Sequence, residues 1–151
     1  MNRKRYEGFS LIEILVVVAL IIILATITIV AINPGKNFRD TRDAQRSADV
    51  NAILSAVTQY TTDGNTLPAG IAACDPTDWT IGTHIGTGVG LINLGAVLTG
   101  TGATDYMVGI PVDPSAGTAE DTNYVICTIG TRVQIAAPEV EGTGKEIAVR
   151  R

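Results

Sequence analysis

The chain opens with a short polar stretch, runs apolar for much of its first fifth, and then settles into shorter rhythms. Residues 14–32 contain no charge, no Gly and no Pro, and only Thr26 and Thr28 interrupt the hydrocarbon. At about 1.5 Å of rise per residue this run covers ~28 Å, roughly one bilayer core. A secretory h-region is shorter, about 7–15 residues, and ends at small side chains. Here the run ends Ile29-Val30-Ala31-Ile32-Asn33, with large β-branched residues at the place of cleavage, and no cysteine follows that could carry a lipid. The pattern predicts a membrane anchor.

Asn33-Pro34-Gly35 breaks or kinks the helix, because Pro lacks an N–H and Gly lowers helix propensity. From Phe38 a helical period resumes. Val50, Ile53, Leu54, Val57 and Tyr60 recur at three- and four-residue intervals. Followed backwards the same face reads Ser47, Arg46, Asp43 and Arg39. The expectation is a divided helix whose upper half packs on a sheet. Its lower half is a solvated neck carrying an Arg39–Asp43 pair worth ~0.3–0.5 kcal/mol. Asp63-Gly64-Asn65 ends the helix, with Gly64 available for a left-handed cap.

Residues 65–105 read as loop. The Gly/Thr-dense stretches 81–90 and 100–103 show no period, while Leu91, Leu94, Val97 and Leu98 share one face of a short helix. The last third reads as strand. Residues 106–110 form an extended piece before Pro111, and residues 123–129 and 132–137 are β-rich runs split by a Gly130-Thr131 hairpin signal. After Gly142-Thr143-Gly144, residues 146–150 add a further strand. The fold class is therefore α+β: a long N-terminal helix, part anchor and part amphipathic, packed on a small C-terminal antiparallel sheet of about three to four strands. The expected organisation is a leader (1–8), an anchor helix (9–32), an outer half of the long helix (33–64) and a globular head (65–151).

Charge changes the picture in two ways. Residues 1–46 hold seven Lys/Arg against four Asp/Glu, and the remainder holds four against eleven. An acidic head argues against binding nucleic-acid phosphates there. The basic residues flanking the anchor nearly balance, with Arg3-Lys4-Arg5 on one side and Lys36, Arg39, Arg42 and Arg46 on the other. The uninterrupted leader cluster weighs more than basic residues interleaved with Asp40 and Asp43. The expected orientation is N-terminus inside and head outside. Cys74 and Cys127 fit no metal spacing. In an extracytoplasmic head they could pair and close a long loop, and the sequence leaves open whether they do.

No catalytic constellation emerges: the chain has no nucleophile elbow, no H-E-x-x-H and no phosphate-cradling glycine loop. An enzyme is not expected. His84, the single histidine, has no Cys, Asp or Glu at metal spacing and reads as a loop residue, and Trp79 reads as a core or lid residue. The unusual residue is Glu13. A carboxylate well inside a membrane helix costs ~2–3 kcal/mol, less near an end. Either it lies in the interface, or a positive charge from a neighbouring chain neutralises it. An α-amino group at Phe9, freed by a cut after Gly8, would be such a charge.

Lys4-Arg5-Tyr6-Glu7-Gly8, Phe9-Ser10-Leu11-Ile12-Glu13 and the apolar run behind them resemble the class III signal of bacterial type IV pilins and pseudopilins. Two later stretches carry the likeness further. Asp63-Gly64-Asn65-Thr66-Leu67-Pro68 resembles the D-N-G-x-Y-P-like helix end, with Leu67 in place of the aromatic. Residues 106–114 (YMVGIPVDP) resemble the Y-L-x-x-I-P-x-D-P segment before the sheet. The resemblance implies cleavage between Gly8 and Phe9 by a prepilin peptidase, N-methylation of Phe9, and Glu13 as the glutamate that aids subunit docking. It implies copies of the same chain, an assembly platform protein and an ATPase as partners, and the inner-membrane lipids as surroundings. The subunit would be stored in the cytoplasmic membrane as a single-pass protein and assembled into a surface pilus or periplasmic pseudopilus.

The sequence also departs from the family. Many pilins carry a Pro inside the apolar segment, where this chain has Val30 and its first Pro is Pro34. Major pseudopilins of secretion systems can bind calcium near the sheet. Asp113, Glu120 and Asp121 supply carboxylates there, without the six to eight oxygens at fixed spacing that calcium needs. No other cofactor is implied. Three roles stay open: a pilus subunit, a pseudopilin of a type II secretion or DNA-uptake system, and a solitary membrane-anchored binding domain.

Overall fold

A computed structural model describes residues 8–100 and 105–151. The leader residues 1–7 and most of the 100–103 turn lie outside the described residues. The chain divides after Phe38 into two units.

The first unit is built on helix α1, Leu11–Ile32. Every residue of α1 is exposed. Thr26 and Thr28 donate their hydroxyls to the carbonyls of Ile22 and Leu24, each at 2.8 Å, so the two polar side chains are satisfied within the helix. Asn33 adopts the left-handed conformation (φ 47°). It closes α1 and opens α2, Pro34–Thr62. The Asn33 carbonyl accepts from the Lys36 N–H at 3.1 Å, and the Asn37 amide donates to the Ile32 carbonyl at 3.2 Å. Pro34 takes the first helical position, where its missing N–H costs nothing. The expected interruption at Asn33-Pro34-Gly35 is thus a one-residue break between two helices.

The second unit packs α2 on a four-stranded antiparallel sheet in the order β1-β2-β3-β4: Thr83–His84, Val125–Ile129, Arg132–Ala136 and Ala148–Arg150. Ile129 pairs with Arg132 across Gly130-Thr131, with Gly130 at φ 60°, which places the hairpin where the turn signal predicts it. The register pairs Ile126 with Ile135 and Ile135 with Val149, so these side chains share the face turned to α2. They join Val50, Ile53, Leu54 and Val57 in one core. Tyr124 is fully buried beside them and donates its hydroxyl to Asp49 Oδ2 on α2 at 2.7 Å. Gly64 (φ 88°) ends α2, with the Asn65 N–H reaching back to the Tyr60 carbonyl.

Several local expectations are corrected. Residues 106–110 form no strand: the Tyr106 and Met107 N–H groups both donate to the Leu98 carbonyl, tying the segment to the short helix α3, Gly95–Leu98. β1 lies instead within the Gly/Thr-rich stretch that shows no period. It pairs with β2 through Thr83–Ile126 and His84–Val125. The sheet's outer face is also covered. Val125, Cys127, Gln134 and Ala136 are buried there. Residues 72–74 extend the β1 edge along β2, with the Cys74 N–H donating to the Thr128 carbonyl at 2.9 Å. Cys74 is disulfide-bonded to Cys127, their Cα atoms 4.9 Å apart.

The lower half of α2 is not a solvated neck. Asp43 and Arg46 are among the most deeply buried residues of the chain. Arg46 Nε and Nη2 reach the two oxygens of Asp113 at 2.5 and 3.2 Å, Nη2 also donates to the Ser115 hydroxyl, and Nη1 reaches Asp43 and Glu141. Asp43 further accepts the N–H groups of Glu141 and Gly142 at 3.0 and 2.9 Å. Arg42 holds Glu141 through a two-point pair, and Lys145 reaches Asp40 at 3.0 Å. Asp43 therefore pairs with Arg46 and the 141–142 backbone rather than with Arg39.

Candidate functional site

The candidate site begins at Gly8, which precedes the helix and has open space where a Cβ would stand. Phe9 follows, about four-fifths exposed. Ser10 occupies the N-cap with extended backbone and no side-chain capping bond, while its carbonyl accepts from the N–H groups of Glu13 (3.0 Å) and Ile14 (3.3 Å). Glu13 thus sits in the first turn, where a negative charge meets the positive end of the helix dipole. It is the sole ionisable residue of α1. Beyond it the helix presents apolar side chains all round, the composition of a span or filament core rather than of a surface helix. Its 22 residues rise ~33 Å, enough to cross a bilayer core. Gly8, Phe9 and Glu13 therefore lie within one short exposed segment at the head of a helix whose residues are all exposed.

The carboxylates considered for calcium are dispersed. Asp113 is turned inward. Its Oδ1 accepts the N–H groups of Ser115 (2.9 Å) and Ala116 (3.1 Å) and the Ser115 hydroxyl (2.8 Å), while Arg46 engages both oxygens. Burial alone would raise its pKa. The arginine and the turn's donors outweigh that and hold it at about 2. A Cβ on Gly117 would fall 2.4 Å from the Asp113 nitrogen, so this turn requires glycine. Asp121 instead accepts from the Asn123 N–H at 2.9 Å and meets His84 Nδ1 at 3.1 Å. Glu120 contributes its backbone carbonyl to the Gly88 N–H. Among the described residues no group of three or more His, Cys, Asp or Glu side chains is placed to hold a metal.

Sequence reasoning missed the Arg46 cluster. The signal available was that the apolar stripe of α2 runs on, without change of face, into Arg46 and Asp43. Their partners lie 67 and 98 residues away in sequence, so no local pattern points to them.

The N-terminal helix, exposed and with one carboxylate in its first turn, is long and apolar enough to cross a membrane. Residues 3–29 match the family model of the prokaryotic N-terminal methylation motif, the class III signal of type IV pilins and pseudopilins. The motif supports a type IV pilin-like or pseudopilin protein, a group of generally non-enzymatic structural subunits. Such a signal implies processing by a prepilin peptidase and assembly into a filament, and with the apolar helix it points to membrane anchoring. No curated protein and no solved structure matches the chain.

Proposed function

We propose that the protein is a structural subunit of a type IV pilus or pilus-like filament. It is held in the cytoplasmic membrane and polymerised after a prepilin peptidase cuts between Gly8 and Phe9. The observation that carries this reading is α1 itself: twenty-two exposed residues with a single charge, Glu13, four positions past the future amino terminus. Removal of residues 1–8 leaves an α-amino group on Phe9, which is then methylated and remains a cation. In a bundle of such helices, staggered along a common axis, Glu13 of one subunit meets the Phe9 amine of the next. Apolar helices alone associate in lipid weakly and without fixed register. An ion pair supplies register, because a misplaced subunit leaves a carboxylate unpaired in hydrocarbon.

The Cys74–Cys127 disulfide favours a head outside the cytoplasm, since such bonds persist in oxidising compartments. That agrees with the orientation expected from the basic leader and with storage as a single-pass protein. Assembly platform protein, ATPase and inner-membrane lipids are the partners this reading requires.

Glu13→Val is the decisive variant. Membrane insertion and cleavage are expected to remain, while filaments in sheared surface fractions disappear under electron microscopy. Normal filaments built from that variant would sink the proposal. A wild-type chain that is cleaved yet never found in any filament would instead support the solitary-anchor alternative.

A further inference from the structure

The outer face of the sheet carries a polar groove of about 370 Å³, lined by Asp75, Thr77, Trp79, Gln134, Glu146 and Arg150. It lies wholly within the second unit and takes no part in the assembly reading above. Its floor follows from strand register: Cys127 pairs with Gln134 and Gln134 with Arg150, so the three side chains form one row on the same face. The disulfide at one end of that row ties down residue 74, from which the 75–79 wall begins. Asp75 Oδ1 accepts the Thr77 N–H (2.7 Å) and hydroxyl (2.6 Å), and Asp78 Oδ1 does the same for Thr80, so the wall is ordered by its own turns. The groove is built by long-range pairing and a covalent tie.

Gln134 is the informative residue. It is 2 % exposed, and its Nε2 donates to the Trp79 carbonyl at 3.3 Å. That carbonyl fixes which end of the amide is nitrogen, since the opposite assignment would face two acceptors. Oε1 has no hydrogen-bond partner, yet among the described residues no buried side-chain polar atom is left unpaired. Oε1 therefore opens into the groove, an acceptor held in place by an otherwise buried side chain. Around it stand Glu146 and Arg150, neither of which takes part in an ion pair among the described residues.

We propose that this groove binds a neutral polyhydroxylated ligand, the chemistry of a mono- or disaccharide. The lining carries both signs, Asp75 and Glu146 against Arg150, so it offers no uniform field for an ion of either sign. The polar side chains left facing the space are planar carboxylates, an amide and a guanidinium, whose paired donors and acceptors match vicinal hydroxyls. Trp79 adds an aromatic body with a polar handle, suited to a ligand that is apolar on one face and wet on its rim. The volume falls within the range of small-ligand sites, ~300–1,000 Å³.

Trp79 is the chain's only tryptophan, so its fluorescence reports directly on this groove. The full chain, in a zwitterionic detergent free of sugar headgroups, is titrated with glucose, galactose, N-acetylglucosamine, lactose and maltose. Glucuronate and glucosamine serve as charged counterparts. The expected result is a saturable change with at least one neutral sugar, and binding weakened about tenfold or more in both Gln134→Leu and Glu146→Ala. Glu146 is exposed, so its variant keeps the test valid if Gln134→Leu fails to fold. No saturable response to any neutral sugar overturns the proposal. So does equal or tighter binding of a charged counterpart, or a sugar response that Glu146→Ala leaves unchanged.

Discussion

Two successive helices of this chain, parted by one left-handed residue, have opposite relations to the rest of the molecule. α1 is apolar on every side and buries nothing, whereas α2 is on average polar and buries seven residues, two of them charged. Hydrophobicity alone would predict the reverse. The difference teaches that burial follows partnership: α2 has a sheet and an ion cluster within its own chain, and α1 must find its partners in lipid or in other subunits. A protein that left nineteen apolar residues of one helix bare in water would aggregate. α1 is therefore an interface in waiting, and α2 is the scaffold that stabilises the head.

The comparison is broken most forcefully at Arg46. Arg46→Met keeps the length of the side chain and removes the cation between Asp113, Asp43 and Glu141. Asp113 and Asp43 are then buried without their cation, which costs ~3–5 kcal/mol when one partner of a buried pair is lost. Urea unfolding of the detergent-solubilised chain, followed through Trp79, should show that loss. A change below about 1 kcal/mol would mean the cluster is not a stability element of the head.

A milder and paired test sets the two helices side by side. Ile53 of α2 is fully buried in the core, whereas Ile21 of α1 is mostly exposed. Ile53→Ala should destabilise the head by ~2–5 kcal/mol, while Ile21→Ala should stay within ~0.5 kcal/mol in the same unfolding assay. The expected cost of Ile21→Ala lies elsewhere, in insertion or filament yield. Equal destabilisation by the two substitutions would remove the distinction drawn between the helices.

Much of this division was legible in the sequence, because α1 announces itself as an unbroken apolar run, α2 by its three- and four-residue period and the β2–β3 hairpin by its Gly-Thr turn. The N-terminal signal was legible for the same reason, as a contiguous stretch within the matched residues 3–29. What escaped was everything that depends on distant partners. β1 is two residues long and owes its strand character to β2, more than forty positions later. Arg46 looked solvated because its partners stand in loops around residues 113 and 141. The polar groove escaped likewise, since Gln134 and Trp79 meet only through the fold. The YMVGIPVDP segment stood out as a resemblance, and the part it plays in this fold was not legible. The structure shows Asp113 as the residue that turns the chain and receives Arg46, while residues 106–110 serve α3 rather than the sheet.

The subtlest test is acid. Asp113 is held at about 2, below the value near 3.9 of an unfolded aspartate, because Arg46 and the 115–116 donors favour its charged form over the opposing effect of burial. Glu141 is likewise held at about 2, chiefly by Arg42 and then Arg46, and Asp43 is shifted in the same direction. Between pH 4 and pH 2 the unfolded chain takes up protons that the folded chain refuses. The stabilisation is complete above the unfolded values and is lost as pH falls through the folded ones. Asp113 alone accounts for ~2 kcal/mol over that window. In Arg46→Met the cation is gone, and only the Ser115 and Ala116 donors are left to oppose the effect of burial on Asp113. The acid-induced loss should shrink or change sign, so that the variant is relatively less handicapped at pH 3 than at pH 7. Parallel pH–stability curves for the two proteins would show that Arg46 does not set the carboxylates' acidity.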